Sequence, residues 1–242
     1  MIERNPTLTL NNGVRMPALG LGVYRSAPEQ TLDAVLCALD NGYSLIDTAA
    51  VYGNEREVGQ AIARSGVPRS EIFVTTKLWI ADFGYEEALR AFEVSMDKFG
   101  LDILDLYLLH FPVPATFEAT IAAYRAAEGL LVKGRVRAIG VCNFMPQHLD
   151  RLAASASVVP AVNQVELHPF FNQRALRDLH ASRGIATQSW SPLGGVLVYD
   201  AGSPGAAVHL LDHPRRGGED RRRRQARRVH GRGRVLDQLL SL

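Results

Sequence analysis

Two cysteines in 242 residues, Cys37 and Cys142, are too few for a disulfide framework or a cysteine-rich zinc site. Both lie in apolar segments that read as buried, and their scarcity points to a reducing, cytoplasmic setting. No apolar run reaches the ~18 residues of a membrane span, so no membrane association is expected. The opening stretch, MIERNPTLTL, lacks the basic-then-apolar pattern of a signal peptide. Seven histidines are present, but no pair stands at helix-face spacing with an acid, so no metal is expected.

The formal net charge of +2 conceals an uneven distribution. Residues 213–242 hold ten arginines, no lysine and no aromatic residue against three acids, Glu219, Asp220 and Asp237. The preceding 212 residues carry 17 basic and 22 acidic side chains. The composition thus divides the chain into a mixed, slightly acidic body over 1–212 and an arginine-rich tail over 213–242, which is expected to be disordered.

Within the body, short β-rich runs alternate with longer helical patterns. LTL and VRM flank Asn11-Asn12-Gly13, whose Asn-Gly step signals a hairpin. ALGLGVY reads as a strand, followed by PEQTLDAVLCALDNG with apolar positions at helical spacing and a stop at Asn41-Gly42. The pairing then repeats through SLID, EIFVTTKL, LDLYLLH, VRAIGVCN, PAVNQVEL and IATQSW, seven strand units by Trp190. Continuously apolar strands separated by amphipathic helices predict a parallel sheet covered by helices. An open doubly wound sheet marks its nucleotide site with a glycine-rich turn after the first strand. GLGVYR offers Gly20 and Gly22 but Arg25 in the third glycine's place. The α/β class with a (β/α)8 barrel is therefore favoured, although such a barrel typically needs about 250 residues.

In a parallel barrel, function gathers at the C-terminal strand ends. There the sequence puts Asp47 with Tyr52 just beyond it, then Lys77 and His110, on three successive strands. Neighbouring strands lie about 4.8 Å apart, so the four side chains can converge. A phenol is a poor acid near neutrality, and a close ammonium is expected to lower its pKa. Asp47 would keep Lys77 charged, and His110 would donate a hydrogen bond to a substrate oxygen. The set reads as a proton-delivery system for an oxygen that becomes an alkoxide.

These residues resemble a family. GYSLIDTAAVYGNEREVG resembles the first signature of the aldo-keto reductases, LDILDLYLLHFP their fourth-strand segment, and IGVCNF and VNQVELHPF their nicotinamide-carboxamide segments. The resemblance spans roughly residues 5–195 in the right order. It implies a (β/α)8 barrel with an N-terminal hairpin closing its floor, and NADPH-dependent reduction of a small-molecule carbonyl by a monomer. Carried over by position, it implies Tyr52 as general acid, Lys77 and Asp47 as its tuning pair and His110 as substrate orienter. Asn143 and Gln164 would hold the carboxamide, and Trp190 would stack on the nicotinamide, as in the bacterial diketogluconate reductase branch. Ser191 and Leu193 would lie along the pyrophosphate. Tyr24, Trp79 and Phe111 would line an apolar substrate pocket. Cys142 stands where the family usually has serine, and Ser44 replaces a residue that is often basic.

The resemblance fades after GGVLVYDAGSPGAAVHLLDHP. The family's eighth strand, its PKS-like segment and the arginine that grips the 2′-phosphate have no counterpart in the arginine-rich tail. Three readings stay open: a frame-shifted stretch of coding sequence, which is preferred; a basic tail that binds nucleic acid or membrane; and a short reductase that uses these arginines for its cofactor. The first makes the barrel incomplete, with exposed edge strands and low stability. It leaves an inactive truncated barrel as the alternative to the reductase, and a nucleic-acid-binding module as the alternative under the second.

Overall fold

The computed structural model describes residues 5–194. The hairpin comes first: β1 (Thr7–Thr9) pairs antiparallel with β2 (Arg15–Pro17) across the Asn11–Gly13 turn, where Gly13 takes φ +84°. Seven parallel strands follow in chain order: β3 (Gly20–Gly22), β4 (Leu45–Asp47), β5 (Phe73–Leu78), β6 (Leu104–Leu109), β7 (Val136–Cys142), β8 (Val162–Glu166) and β9 (Ala186–Trp190). Helices α1 (Pro28–Asp40), α2 (Glu55–Arg64), α3 (Tyr85–Phe99), α4 (Phe117–Val132), α5 (Pro146–Ala153) and α6 (Arg174–Ser182) link them. Within this seven-stranded sheet the strands lie side by side in chain order, the winding of a (β/α)8 barrel. Among the described residues β3 and β9 form the two margins of this sheet.

Two apolar layers hold the sheet. Leu45, Phe73, Leu106, Leu108, Ala138 and Val162 pack together on its inner face with Leu10 and Met16 of the hairpin region, which plug the floor. Asn12 Nδ2 donates to the Arg137 carbonyl and Asn11 Nδ2 to the Pro160 carbonyl, pinning the hairpin turn beneath β7 and β8. The outer layer joins sheet to helices through Val35, Val58, Phe92, Leu104, Tyr107, Phe117, Tyr124 and Phe144. Burying one such large side chain contributes roughly 1.5–3 kcal/mol.

Helix boundaries follow local chemistry. α1 starts with Pro28 in its first turn and ends at the Asn41-Gly42 step, Gly42 at φ +82°. The expected strand around Gly20 is shorter than ALGLGVY. One sequence expectation fails here: Cys37 is exposed, because α1 turns it outward beside Asp33 and Asp40 while Val35, Ala38 and Leu39 face the sheet. Cys142 is buried as expected. The boundary at 212/213, the tail and the eighth strand lie outside the described residues. Among those residues no helix is long and apolar enough to cross a membrane.

Candidate active site

Register sets the site. Asp47 ends β4 and Lys77 lies near the end of β5; both point to the inner face, and Lys77 Nζ donates to Asp47 Oδ1 across 2.5 Å. A second donation, 2.8 Å to the Thr48 carbonyl, fixes the ammonium. Lys77 is 1 % exposed, a burial that only a paired ammonium tolerates. Burial is the strongest single influence and pulls its pKa down, but the charge of Asp47, the ionisable Tyr52 and Cys142 and the hydrogen bond to Asp47 together outweigh it and hold the pKa above the ordinary lysine value. Gln164, on β8, donates from Nε2 to Asp47 Oδ2 at 2.7 Å. Both carboxylate oxygens are therefore engaged.

Tyr52 ends a short 3-10 turn, Ala50–Tyr52, stopped by Gly53 in the left-handed region at φ +73°. The turn is anchored from below by Asn54, which is fully buried and makes no helix-capping bond of its own. Its Oδ1 accepts from Thr48 Oγ1 at 2.6 Å, and its Nδ2 donates to the Val23 carbonyl at 3.0 Å. This clamp ties the ends of β3 and β4 to the tyrosine turn. Lys77 Nζ lies 5.3 Å from the centre of the Tyr52 ring. The expected lowering of the phenol's pKa is not the net effect: burial outweighs the nearby ammonium and pushes it up to about 12. The phenol keeps its proton at neutral pH.

His110 follows β6, with its ring centre 5.7 Å from that of Tyr52 and 5.2 Å from that of Trp79. Phe111 stacks on it at 5.2 Å. Burial and then the Lys77 charge bring its pKa down to about 3, so the ring is neutral. Its Nδ1 is sealed without a partner among the described residues. Orphaned buried N–H groups are rarer than orphaned acceptors, which favours the tautomer with its proton on Nε2. Tyr24 packs its ring 5.0 Å from Tyr52, yet the residue is 62 % exposed at the mouth. Trp79, His110 and Phe111 thus form one aromatic wall beside the phenol, with Tyr24 on its other side.

Asn143, just after β7, adopts φ +63°. Its Nδ2 donates to the His110 carbonyl at 3.0 Å, and its Oδ1 accepts from Trp190 Nε1 at 2.9 Å. Trp190 ends β9 half-buried; Ser191 follows at φ +50°, and Leu193 is 77 % exposed. Every non-glycine residue with positive φ among those described, Arg25, Asn143, Gln173 and Ser191, lies in a loop beyond a strand's C-terminal end. Strained backbone collects where function does.

The structure therefore brings the four predicted catalytic residues together, with Gln164, Asn143 and Trp190 around them. Ser191 and Leu193 extend outward along the rim. Sequence reading missed the Asn54 clamp and the Gln164–Asp47 bond. A polar residue before a helix reads as a cap, and nothing in the spacing reveals that Asn54 turns to β3 instead. Among the described residues no group of His, Cys, Asp and Glu is arranged to hold a metal ion.

Comparisons with known proteins identify the family. The Aldo/keto reductase family model matches residues 17–226. Morphine 6-dehydrogenase of Pseudomonas putida is 52 % identical over 215 residues, covering 88 % of this chain and 72 % of its own. The crystal structure of an aldo/keto reductase from Brucella melitensis superposes with a TM-score of 0.76 at 48 % identity, over 78 % of this chain and 73 % of that one. A Bombyx mori aldo-keto reductase solved with NADP gives a TM-score of 0.77 at 33 % identity, over 94 % and 77 %. The protein is a barrel of the reductase type, and the chain belongs to the aldo/keto reductase family.

Proposed function

We propose that this chain reduces a small-molecule aldehyde or ketone to the alcohol with NADPH, and that Tyr52 is the proton donor. The observation that carries the reading is the convergence of a protonated phenol, a buried Lys77–Asp47 pair and a neutral imidazole on one rim of the sheet. When bound, NADPH supplies the hydride. The residues present fit its nicotinamide end. Gln164 spends its amide nitrogen on Asp47 but leaves Oε1 with only a 4.0 Å thiol contact, an acceptor open to a carboxamide NH2. Asn143 offers a second carboxamide and Trp190 a flat indole beside it. Ser191 and Leu193 continue the path that the pyrophosphate would follow.

The roles of the chain's own groups follow from their states. His110 donates from Nε2 to the carbonyl oxygen and orients it toward Tyr52. The phenol delivers its proton as negative charge grows on that oxygen, and the phenolate left behind is stabilised by the Lys77 ammonium. General acid assistance of this kind contributes about 10²–10⁴-fold. Trp79 and Phe111 exclude water and favour apolar carbonyl compounds.

The test is consumption of NADPH by purified chain against a panel of aldehydes and ketones. The expected result is turnover that falls by about 10²-fold or more in Tyr52→Phe while NADPH still binds. Folded protein that turns over nothing on a broad panel overturns the reading.

A further inference from the structure

Beneath the site, on the helix side of the sheet, lies a polar chain that the reaction does not use. His180, on α6, is fully buried. Its Nε2 meets Asn163 Nδ2 at 2.9 Å and its Nδ1 meets Thr187 Oγ1 at 2.8 Å. Asn163, on β8 and also fully buried, holds the backbone of Phe144 from both sides. Its Nδ2 donates to the Phe144 carbonyl at 2.8 Å, and its Oδ1 accepts from the Phe144 N–H at 3.4 Å. Those two bonds allow only one orientation of the amide. The histidine then faces an N–H donor at Nε2, so Nε2 is the bare acceptor and Nδ1 carries the proton to Thr187. A protonated or apolar side chain at 180 breaks that match.

Phe144 directly follows Asn143. Asn143 sits in the left-handed region, which an asparagine tolerates better than most side chains but holds as a single conformation only where its surroundings fix it. The Asn163 clamp on the next peptide supplies that constraint, while the Asn143 side chain ties His110 to Trp190. The segment is packed further by Phe144, whose ring approaches those of Phe117 and His148.

We infer that His180 is a positioning residue: its neutral ring, proton on Nδ1, locks Asn163 and through it the Asn143–Trp190 pair that receives the nicotinamide. The inference rests on the proposed function for the identity of the ligand, but its first half concerns the free protein alone. Burial and then the Arg183 charge hold the His180 pKa at about 4, consistent with a ring kept neutral as an acceptor.

The experiment compares His180→Phe, which keeps a ring and loses both bonds, with His180→Gln, which carries an acceptor and a donor on one planar group. Two readouts are taken. The first is NADPH affinity in the binary complex, with KM and kcat beside it. The second is the Trp190 indole N–H signal of nitrogen-15-labelled free protein, distinguished from that of Trp79, the chain's other tryptophan, by Trp79→Phe. We expect His180→Phe to weaken NADPH binding about tenfold, with kcat at saturation changed less than about threefold, and to move the Trp190 signal upfield. His180→Gln restores both toward the parent. If His180→Phe does not fold, Thr187→Val removes the Nδ1 partner alone, and the same two shifts are expected at smaller size. An unmoved Trp190 signal with parental NADPH affinity, in His180→Phe or in a folded Thr187→Val, overturns the inference. If the parent chain binds no NADPH, the proposed function fails and the Trp190 signal still decides the positioning claim.

Discussion

Lys77 and Asp47 stand on adjacent parallel strands with Nζ 2.5 Å from Oδ1, the lysine sealed and the aspartate 14 % exposed. The pair is asymmetric. Asp47 retains a second bond, from Gln164, whereas the lysine depends on Asp47 and one carbonyl. Replacing Lys77 by Met therefore leaves a carboxylate that keeps a donor and an opening toward water, while Tyr52 loses the positive charge that opposes its desolvation. The expected outcome is a folded protein whose carbonyl-reduction kcat falls about 10²-fold or more, with NADPH binding largely kept. Steady-state kinetics beside a binding titration check it. A Lys77→Met variant with parental kcat removes the lysine from the proposed mechanism.

The pH dependence follows from two opposite needs. Reduction uses Tyr52 with its proton, and that phenol's pKa is pushed up to about 12 by burial. His110, at about 3, is already neutral. Carbonyl reduction is therefore expected to hold level from neutrality to about pH 10, whereas alcohol oxidation, which needs the phenolate, climbs throughout that range. Stability behaves differently. Tyr52 binds its proton more tightly folded than unfolded, so its contribution is complete below pH 10 and is lost as pH rises through about 12. His110 and His180 have depressed values, so their contribution is present above about 6.5 and is lost as pH falls through about 4 and then 3. Thermal unfolding across pH should show a plateau bounded by these two windows. Reduction that declines between pH 7 and 9 contradicts the phenol assignment.

How much of this was legible beforehand differs by link. The alternation of apolar strands with amphipathic helices carried the sheet order, because parallel strands buried on both faces leave a periodic trace. Asp47, Tyr52, Lys77 and His110 were legible because strand ends are few and polar residues there stand out against apolar runs. The sign of the tyrosine shift was not legible. It is a contest between desolvation and charge, and neither burial depth nor a 5.3 Å separation is written in spacing. Cys37 was misread for a related reason: an amphipathic helix carries exposed apolar positions at the margin of its stripe, and local composition does not say which side of the margin a residue takes. Asn54, Asn163 and His180 were invisible because their partners lie on other elements.

A last prediction separates stability from chemistry. Asp105, near the start of β6, is 1 % exposed and accepts from Arg69 Nη2 at 2.7 Å, Arg137 Nη1 at 2.7 Å and the Val74 N–H at 2.9 Å. It ties three strand units together at the N-terminal end of the sheet, far along β6 from His110. Asp105→Ala strips a carboxylate from two guanidinium groups and leaves the Val74 donor unpaired inside the fold. Breaking a buried ionic cluster from one side typically costs about 3–5 kcal/mol. Both arginines here are partly solvated, one side chain 33 % and the other 45 % exposed, which lets water repay part of the loss. A loss of about 2–3 kcal/mol in urea unfolding is expected, with the reduction rate per folded molecule unchanged within about twofold. A substitution that instead lowers kcat at parental stability would mean that the floor of the sheet communicates with its rim, which no bond seen between them explains.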